Sequence, residues 1–315
     1  MRGVALNNTP LSRAPVLARF GMNSPNACRL VQFYELALGA QVEFRKRQDK
    51  QRLAQWAGVQ GGAESIVLSL GDSTVELLEF DHPGRPYPPE LPPYDTRFQH
   101  LGIVVTDMHR AMERLSRIAG WTAISMGGPQ QLPQNDGGVT AFKFRDPDGH
   151  PLEFLKFAAG KTPAHWRKTI GLGVHLGIDH SALSVADATR SVHFYESLGL
   201  ALSSRSLNQG IKQAHLDGVP APIVDVINLT PRSPTPHVEL LHYHTRSRAT
   251  HEAVCSHDDT ATRLVFVGRD IASNEANRLI QDPDGHYLQF EDHAECNPDS
   301  TTQSNPQGHK PPSPA

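Results

Sequence analysis

Two frames of eleven residues in this chain nearly coincide: FRDPDGHPLEF from Phe144 to Phe154 and IQDPDGHYLQF from Ile280 to Phe290. They differ where the difference has chemical weight, with Glu153 in the first and Gln289 in the second. The two side chains have almost the same shape, but only the glutamate carries the charge that holds a divalent cation. Histidines recur as well. FQHLGIVVTD (98–107) and GIDHSALSVAD (177–187) place His100 and His180 each seven residues before an aspartate. Imidazole with carboxylate is a donor set for borderline divalent metals, so the repeated frames point to metal chemistry in one copy and its loss in the other.

Those residues need elements to hold them. Side chains alternate along a strand, so His100, Gly102 and Val104 share one face while Leu101, Ile103 and Val105 share the other. His180, Ala182 and Ser184 repeat the pattern: a histidine heads a face of small residues with room for a ligand, and the bulky face packs on a helix. Asp107 and Asp187 are placed as N-caps of those helices. After Asp187, Val192, Phe194, Tyr195 and Leu198 form a helical stripe ending at Gly199. The same FYE occurs at Phe33 to Glu35 behind a capping Asn26 and ahead of Gly39, which registers a further unit with first strand LARFGMN (17–23) and Arg19 in the histidine's place. In a fourth copy, ATRLVFVGRD (261–270), Arg263 stands seven residues before Asp270. Each unit closes on a strand with an acid or its amide: Glu76, Glu153, Glu239 and Gln289. The spacing between Asp270 and Asp282 leaves the fourth unit shortened.

The composition sets the outer bounds. With 315 residues, 38% hydrophobic and 20% charged, the chain has room for two ordinary cores. A net charge of -3 and no long basic run give no footprint for nucleic acid or an anionic membrane, so the expected partner is a small molecule, with the protein a monomer or homodimer. No apolar leader or membrane-length segment is visible, and a cytoplasmic protein is expected. Cys28, Cys255 and Cys296 are odd in number and scattered, which reads as free thiols. The segment 296–315 is rich in Pro, Ser, Gln and Asn and is expected to be disordered.

On the repeated DPDG followed by two residues and an acid, the His-to-Asp spacing and the FYE helix, residues 15–292 resemble the vicinal oxygen chelate superfamily. That group includes glyoxalase I, the extradiol dioxygenases and the fosfomycin and bleomycin resistance proteins. The resemblance implies an α+β fold in which βαβββ modules pair into cupped mixed sheets around a metal ion, with ligands on the first and last strand of each module. It implies a first domain over 15–160 (modules one and two) and a second over 175–293 (modules three and four). Carried over by position, module one offers Arg19 and Glu76, module two His100 and Glu153, module three His180 and Glu239, module four Arg263 and Gln289. Pairing the inner modules gathers His100, Glu153, His180 and Glu239 around one divalent ion (Zn, Ni, Co, Mn or Fe), while the outer pair holds none. The implied activity is a metal-dependent lyase or isomerase acting on a substrate with two adjacent oxygens, with Glu153 or Glu239 as catalytic base. The alternatives are an extradiol-type dioxygenase using Fe(II), put in doubt by Arg263 and Gln289, and a non-catalytic binding or resistance protein.

Other polar residues read more plainly. His237 shares the face of Glu239 and could support it, whereas His242 and His244 lie on the opposite face as surface histidines. His150 and His286 occupy tight turns. Arg19 and Arg263 are expected to meet Glu76 in an ion cluster.

Overall fold

A computed structural model describes residues 15–133, 138–169, 171, 173–233, 235–244, 253–268 and 278–292. The expected disordered segment with Cys296, and Asp270, lie outside them. Module one comprises β1 (Val16–Asn23), α1 (Ala27–Phe33) continued by a wider turn over Tyr34–Leu38, β2 (Gln41–Gln48), α2 (Lys50–Trp56), β3 (Ala63–Leu70) and β4 (Ser73–Phe80). Module two follows with β5 (Gln99–Val105), α3 (Met108–Ser116), the short β6 (Thr122–Ala123) and β7 (Gln130–Gln131), β8 (Thr140–Arg145) and β9 (Pro151–Lys156). The connecting helix α4 (Ala164–Thr169) leads to module three: β10 (His175–Ser184), α5 (Ala188–Ser197), β11 (Ala201–Gln209), α6 (Ile211–Asp217), β12 (Ile223–Thr230) and β13 (His237–Tyr243). Among the described residues module four shows three strands, β14 (Arg263–Gly268), β15 (Arg278–Gln281) and β16 (Tyr287–Asp292).

The expected caps form as the local chemistry requires. The side chains of Asn26, Asp107 and Asp187 accept from the backbone N–H groups of Arg29, Arg110 and Arg190, each satisfying a donor that the first helical turn leaves open. Between modules two and three the stretch GKTPAHWRKT contains α4, where the fully buried Trp166 side chain anchors a turn of helix to the sheet.

The strands assemble into two mixed sheets, ordered β15-β16-β14-β1-β4-β3-β2 and β11-β12-β13-β10-β5-β9-β8-β6, with β7 beside β8. Each sheet joins one module from each half of the chain: the outer modules share the first, the inner modules the second. The joints are antiparallel pairs of first strands, β1 with β14 and β5 with β10. Bulky alternate residues on these strands, Phe20 and Leu264 in one sheet and Leu101, Ile103, Ile178 and Leu183 in the other, enter one continuous core with the helices, including Leu30 and Tyr34 of the first and Ala111 and Leu115 of α3. The opposite faces carry the polar residues considered next.

The two DPDG frames form matching turns. Asp146 Oδ1 accepts from the N–H groups of Asp148 and His150, and Asp282 Oδ1 from those of Asp284 and His286. The other carboxylate oxygen in each turn reaches the helix of the preceding module: Tyr34 Oη donates to Asp146 at 3.2 Å and Tyr195 Oη to Asp282 at 3.0 Å. Ser24 donates to Asp148 and Ser191 to Asp284 in the same way. Each frame is therefore a latch between consecutive modules, and the tyrosine of each FYE is its other half. His150 and His286 sit in these turns as expected but are buried, His150 Nδ1 at 2.9 Å from Asp146 and His286 Nε2 at 3.0 Å from the Ser184 carbonyl.

Candidate metal centre

The strand register brings the inner modules' residues together. Ala182 lies opposite His100 and Gly102 opposite His180 across the β5–β10 joint, Glu153 lies beside Gly102, and Glu239 beside Ala182. His180 reaches across Gly102, where no side chain stands: a Cβ there would lie 2.8 Å from His180 Nδ1 and closer still to Cε1 and Nε2. Glycine at 102 is therefore a requirement of the imidazole's position, not of the backbone.

One ligand atom each from His100, Glu153 and His180 lies within 4.8 Å of the others, and all three residues are buried. His100 Nε2 approaches Glu153 Oε2 to 2.7 Å, and His180 Nε2 lies 3.9 Å from the same oxygen. Glu239 stands outside this tight set, its Oε2 3.6 Å from His180 Nε2 and its Oε1 3.6 Å from His237 Nε2. Neither ring nitrogen of His100 has an aligned hydrogen-bond partner, nor does His180 Nε2, although all are shut off from solvent. A buried polar atom without a partner is costly. Donor atoms on a common ion, at about 2.1 Å each, stand about 3 to 4 Å apart without pointing at one another. The separations of His180 Nε2 from Glu153 and Glu239, 3.9 and 3.6 Å, fit that arrangement, with His100 and Glu153 drawn closer, at 2.7 Å.

Charge around the set is arranged by burial and neighbours. Burial opposes ionisation of Glu239, but His180 and His237 outweigh it and hold the carboxyl at about 2. Burial likewise works against the His180 cation, and Glu239 and Asp179 overcome it, raising the imidazole to about 9. His100 is lowered by burial and by Lys143. Glu153 stays ionised against its burial because Lys143 and His100 stand by.

Two contributors, Lys143 and Asp179, escape the sequence pattern, and a third, His237, follows it. Lys143 lies beside Glu153 on β8, is buried, and is held by Asp217 of α6 at 2.8 Å. Its strand reads as an ordinary core strand, and a lone buried lysine gives no pattern. Asp179 Oδ2 lies 3.3 Å from His180 Nδ1, while its Oδ1 accepts from Trp166 Nε1 at 2.7 Å. A register shift between Ile178 and His180 makes Asp179 the extra residue of a bulge, which alternation cannot foresee. His237, expected to share the glutamate's face, is half-buried with its Nε2 unpartnered, and its ring lies 5.6 Å from that of His180.

The outer modules repeat the register without the chemistry. Gly21 pairs with Arg263 and lies beside Glu76, and Gln289 lies beside Val265, which pairs with Arg19. Arg19 donates to Glu76 at 3.1 Å as expected, and also to both oxygens of Glu291 at 2.7 and 2.5 Å. Gln289 Nε2 donates to Glu291 as well. Glu291, two residues beyond Gln289 on the same face, was the acid to look for. Arg263 departs from expectation: its NH1 donates to Asn23 Oδ1 at 2.7 Å rather than to Glu76, its guanidinium lies 5.7 Å from the centre of the Trp56 ring, and burial lowers it to about 10. Two guanidinium groups fill the positions of the two imidazoles, and this face offers a cation no vacancy of charge.

Among the described residues Cys28 and Cys255 are free and exposed. No helix among them is long and apolar enough to cross a membrane.

Comparison with known proteins agrees with this architecture. Glyoxalase I from Zea mays superimposes with a TM-score of 0.56 at 16% identity, over 89% of this chain and 92% of that one. A mutant of that maize enzyme gives 0.55 at 15%, over 89% and 94%. A candidate dioxygenase from Bacillus subtilis gives 0.54 at 11%, over 89% and 86%. At such identities the likeness is one of fold. No curated protein matches by sequence. The family model of the Glyoxalase/Bleomycin resistance protein/Dioxygenase superfamily matches residues 16–154, the first two modules. The first two modules thus match the glyoxalase/bleomycin resistance/dioxygenase superfamily, the vicinal oxygen chelate proteins, and the second half of the chain repeats their module in register.

Proposed function

We propose that the chain is a metal-dependent enzyme acting on a small substrate with two adjacent oxygens, as a lyase or isomerase, and that His100, Glu153, His180 and Glu239 hold its divalent ion. The observation that carries the reading is the cluster of solvent-excluded ring nitrogens within 4 Å of carboxylate oxygens, none of them in a hydrogen bond. A divalent ion there supplies positive charge that polarises a carbonyl and acidifies the adjacent C–H.

The chain's own residues supply the rest. His100, His180 and Glu153 are fixed by their strands and by Gly102, so they orient what binds between them. Glu239 is the freer carboxylate, outside the tight set and with its side chain 16% exposed against 8% for Glu153. It is the better placed to take a proton from the carbon next to the carbonyl, with His237 at 3.6 Å to steady the carboxyl group. Lys143 and Asp217 keep the neighbouring wall charged but closed to water.

The test separates holding from reacting. Elemental analysis of the purified chain should find one tightly held ion in this centre, and chelation should abolish turnover of an α-hydroxy or α-keto carbonyl substrate. Glu239→Gln should keep the ion and lose turnover, whereas Glu153→Gln should lose both. Stoichiometric ligand binding without turnover by the metal-loaded chain would assign it to the binding proteins instead. One observation favours a second reading: two imidazoles and one carboxylate make up the tight set, the donor set of non-haem Fe(II) oxygenases. Oxygen consumption by the Fe(II)-loaded chain with a catechol would select it.

A further inference from the structure

The far face of the same sheet carries a second group of donors. His242 and His244 stand two apart at the end of β13, so both project to the face opposite Glu239. Asp225 of β12 lies directly across from His242, and the His244 N–H donates to the Ile223 carbonyl, which carries the ladder on to His244. One ring nitrogen of each histidine and one Asp225 oxygen all lie within 4.8 Å of one another. His244 Nε2 is 2.8 Å from Asp225 Oδ2 and His242 Nδ1 is 3.7 Å from the same oxygen. The latter is too far for a hydrogen bond, and that nitrogen is shielded from solvent with no partner at all. The rings are 5.2 Å apart and inclined at 48°, so they converge on the aspartate rather than stacking.

We propose that Asp225, His242 and His244 form a separate site for a borderline divalent cation such as Zn²⁺. Two histidines at alternate positions of one strand and a third donor on its neighbour present three ligands from one side, leaving the remaining positions to solvent. The site is independent of the buried centre, since the sheet lies between them. One group competes with the ion: Arg205 of β11 donates to Asp225 Oδ2 at 2.8 Å. Its side chain is 58% exposed and can swing into water when a cation takes the oxygen. Occupancy would tie the ends of β12 and β13 together, and affinity is set by how readily Arg205 leaves.

Calorimetric titration of the chelator-treated full chain with Zn²⁺ tests this. Two classes of site are expected, a tight one and a weaker one. His244→Gln, at an exposed position that carries little folding risk, and His242→Gln should each weaken the second class at least about tenfold and leave the first unchanged. Arg205→Gln should tighten the second class several-fold. His100→Ala should do the reverse of the histidine pair, removing the tight class alone, so that failure of the buried centre and failure of this site read differently. A wild-type chain in which no class of site responds to His242→Gln, His244→Gln and Arg205→Gln overturns the proposal.

Discussion

Gly102→Ala adds one methyl group to the inner sheet, and its effect on the centre follows from geometry. The residue lies in an extended strand with no positive φ, so alanine costs the backbone nothing there. The new Cβ, however, would stand 2.8 Å from His180 Nδ1 and nearer to the rest of the ring. Ordinary contact is about 3.5 Å, so the imidazole must retreat by roughly 0.7 Å or more. Metal ligation tolerates displacements of about 0.2 Å, and mere loss of an orienting neighbour costs about 10- to 100-fold in affinity. A fall of at least about tenfold in metal affinity is therefore expected, together with about 1–3 kcal/mol of lost stability from overpacking. Gly21→Ala is the control, because its Cβ would press on Arg263 at 2.8 Å instead and leave the metal content untouched. The assays are metal content after limited chelation and urea unfolding. A folded Gly102→Ala chain that retains the ion as tightly as wild type would refute the placement of His180 as a ligand across Gly102.

Lys143→Met should cost about 3 kcal/mol or more in urea unfolding, because Asp217 is left charged and fully buried; adding Asp217→Asn should recover most of the loss. Tyr195→Phe removes the donor that satisfies Asp282 and should cost about 1–3 kcal/mol, while the metal content stays at the wild-type level because the latch lies outside the centre. Asp259 is held up at about 6 by burial, with Asp148 and Asp258 adding to it against the opposing His150. Its folded pKa exceeds the unfolded value of 3.8, so the stability it contributes at low pH is lost as pH rises through about 6. Asp259→Asn should accordingly stabilise the chain by about 1 kcal/mol at pH 8, after allowance for screening, and by nothing at pH 4; equal gains at both would remove burial of the charge as the cause.

The strands, caps and repeat register could be read from sequence because each rests on a local rule. Alternation put His100 opposite in character to Leu101, and the side chains of Asn26, Asp107 and Asp187 take helix N–H groups wherever they stand. The inner pairing is what the family resemblance implies, applied to the two modules that hold both a histidine and an acid. What stayed hidden depends on contacts made by the whole fold. A bulge at Asp179 adds a residue that no pattern announces, and Trp166 declares its helix only through the pocket that buries it. Lys143 becomes a site residue only because α6 brings Asp217 to it. Glu291 lies within reach of the alternation rule, two residues past Gln289 on the same face. Charge alone pairs Arg263 with Glu76, but in the fold its NH1 donates to Asn23 Oδ1.

The DPDG turns join modules one to two and three to four, while the sheets join one to four and two to three. The four modules thus form a closed circuit, linked in turn by a latch and by a sheet edge, with side-chain contacts such as Lys143 with Asp217 and Arg263 with Asn23 reinforcing the sheet joints. The latch and the proposed ligand position are different residues: Asp282 fastens the turn to Tyr195, and Gln289, seven residues on, donates to Glu291. A duplicated frame can therefore surrender its ligand without loosening the molecule. With glutamine at 289 the second frame keeps its turn, fastened by Tyr195 on Asp282, in a sheet whose polar face is filled by Arg19 and Arg263.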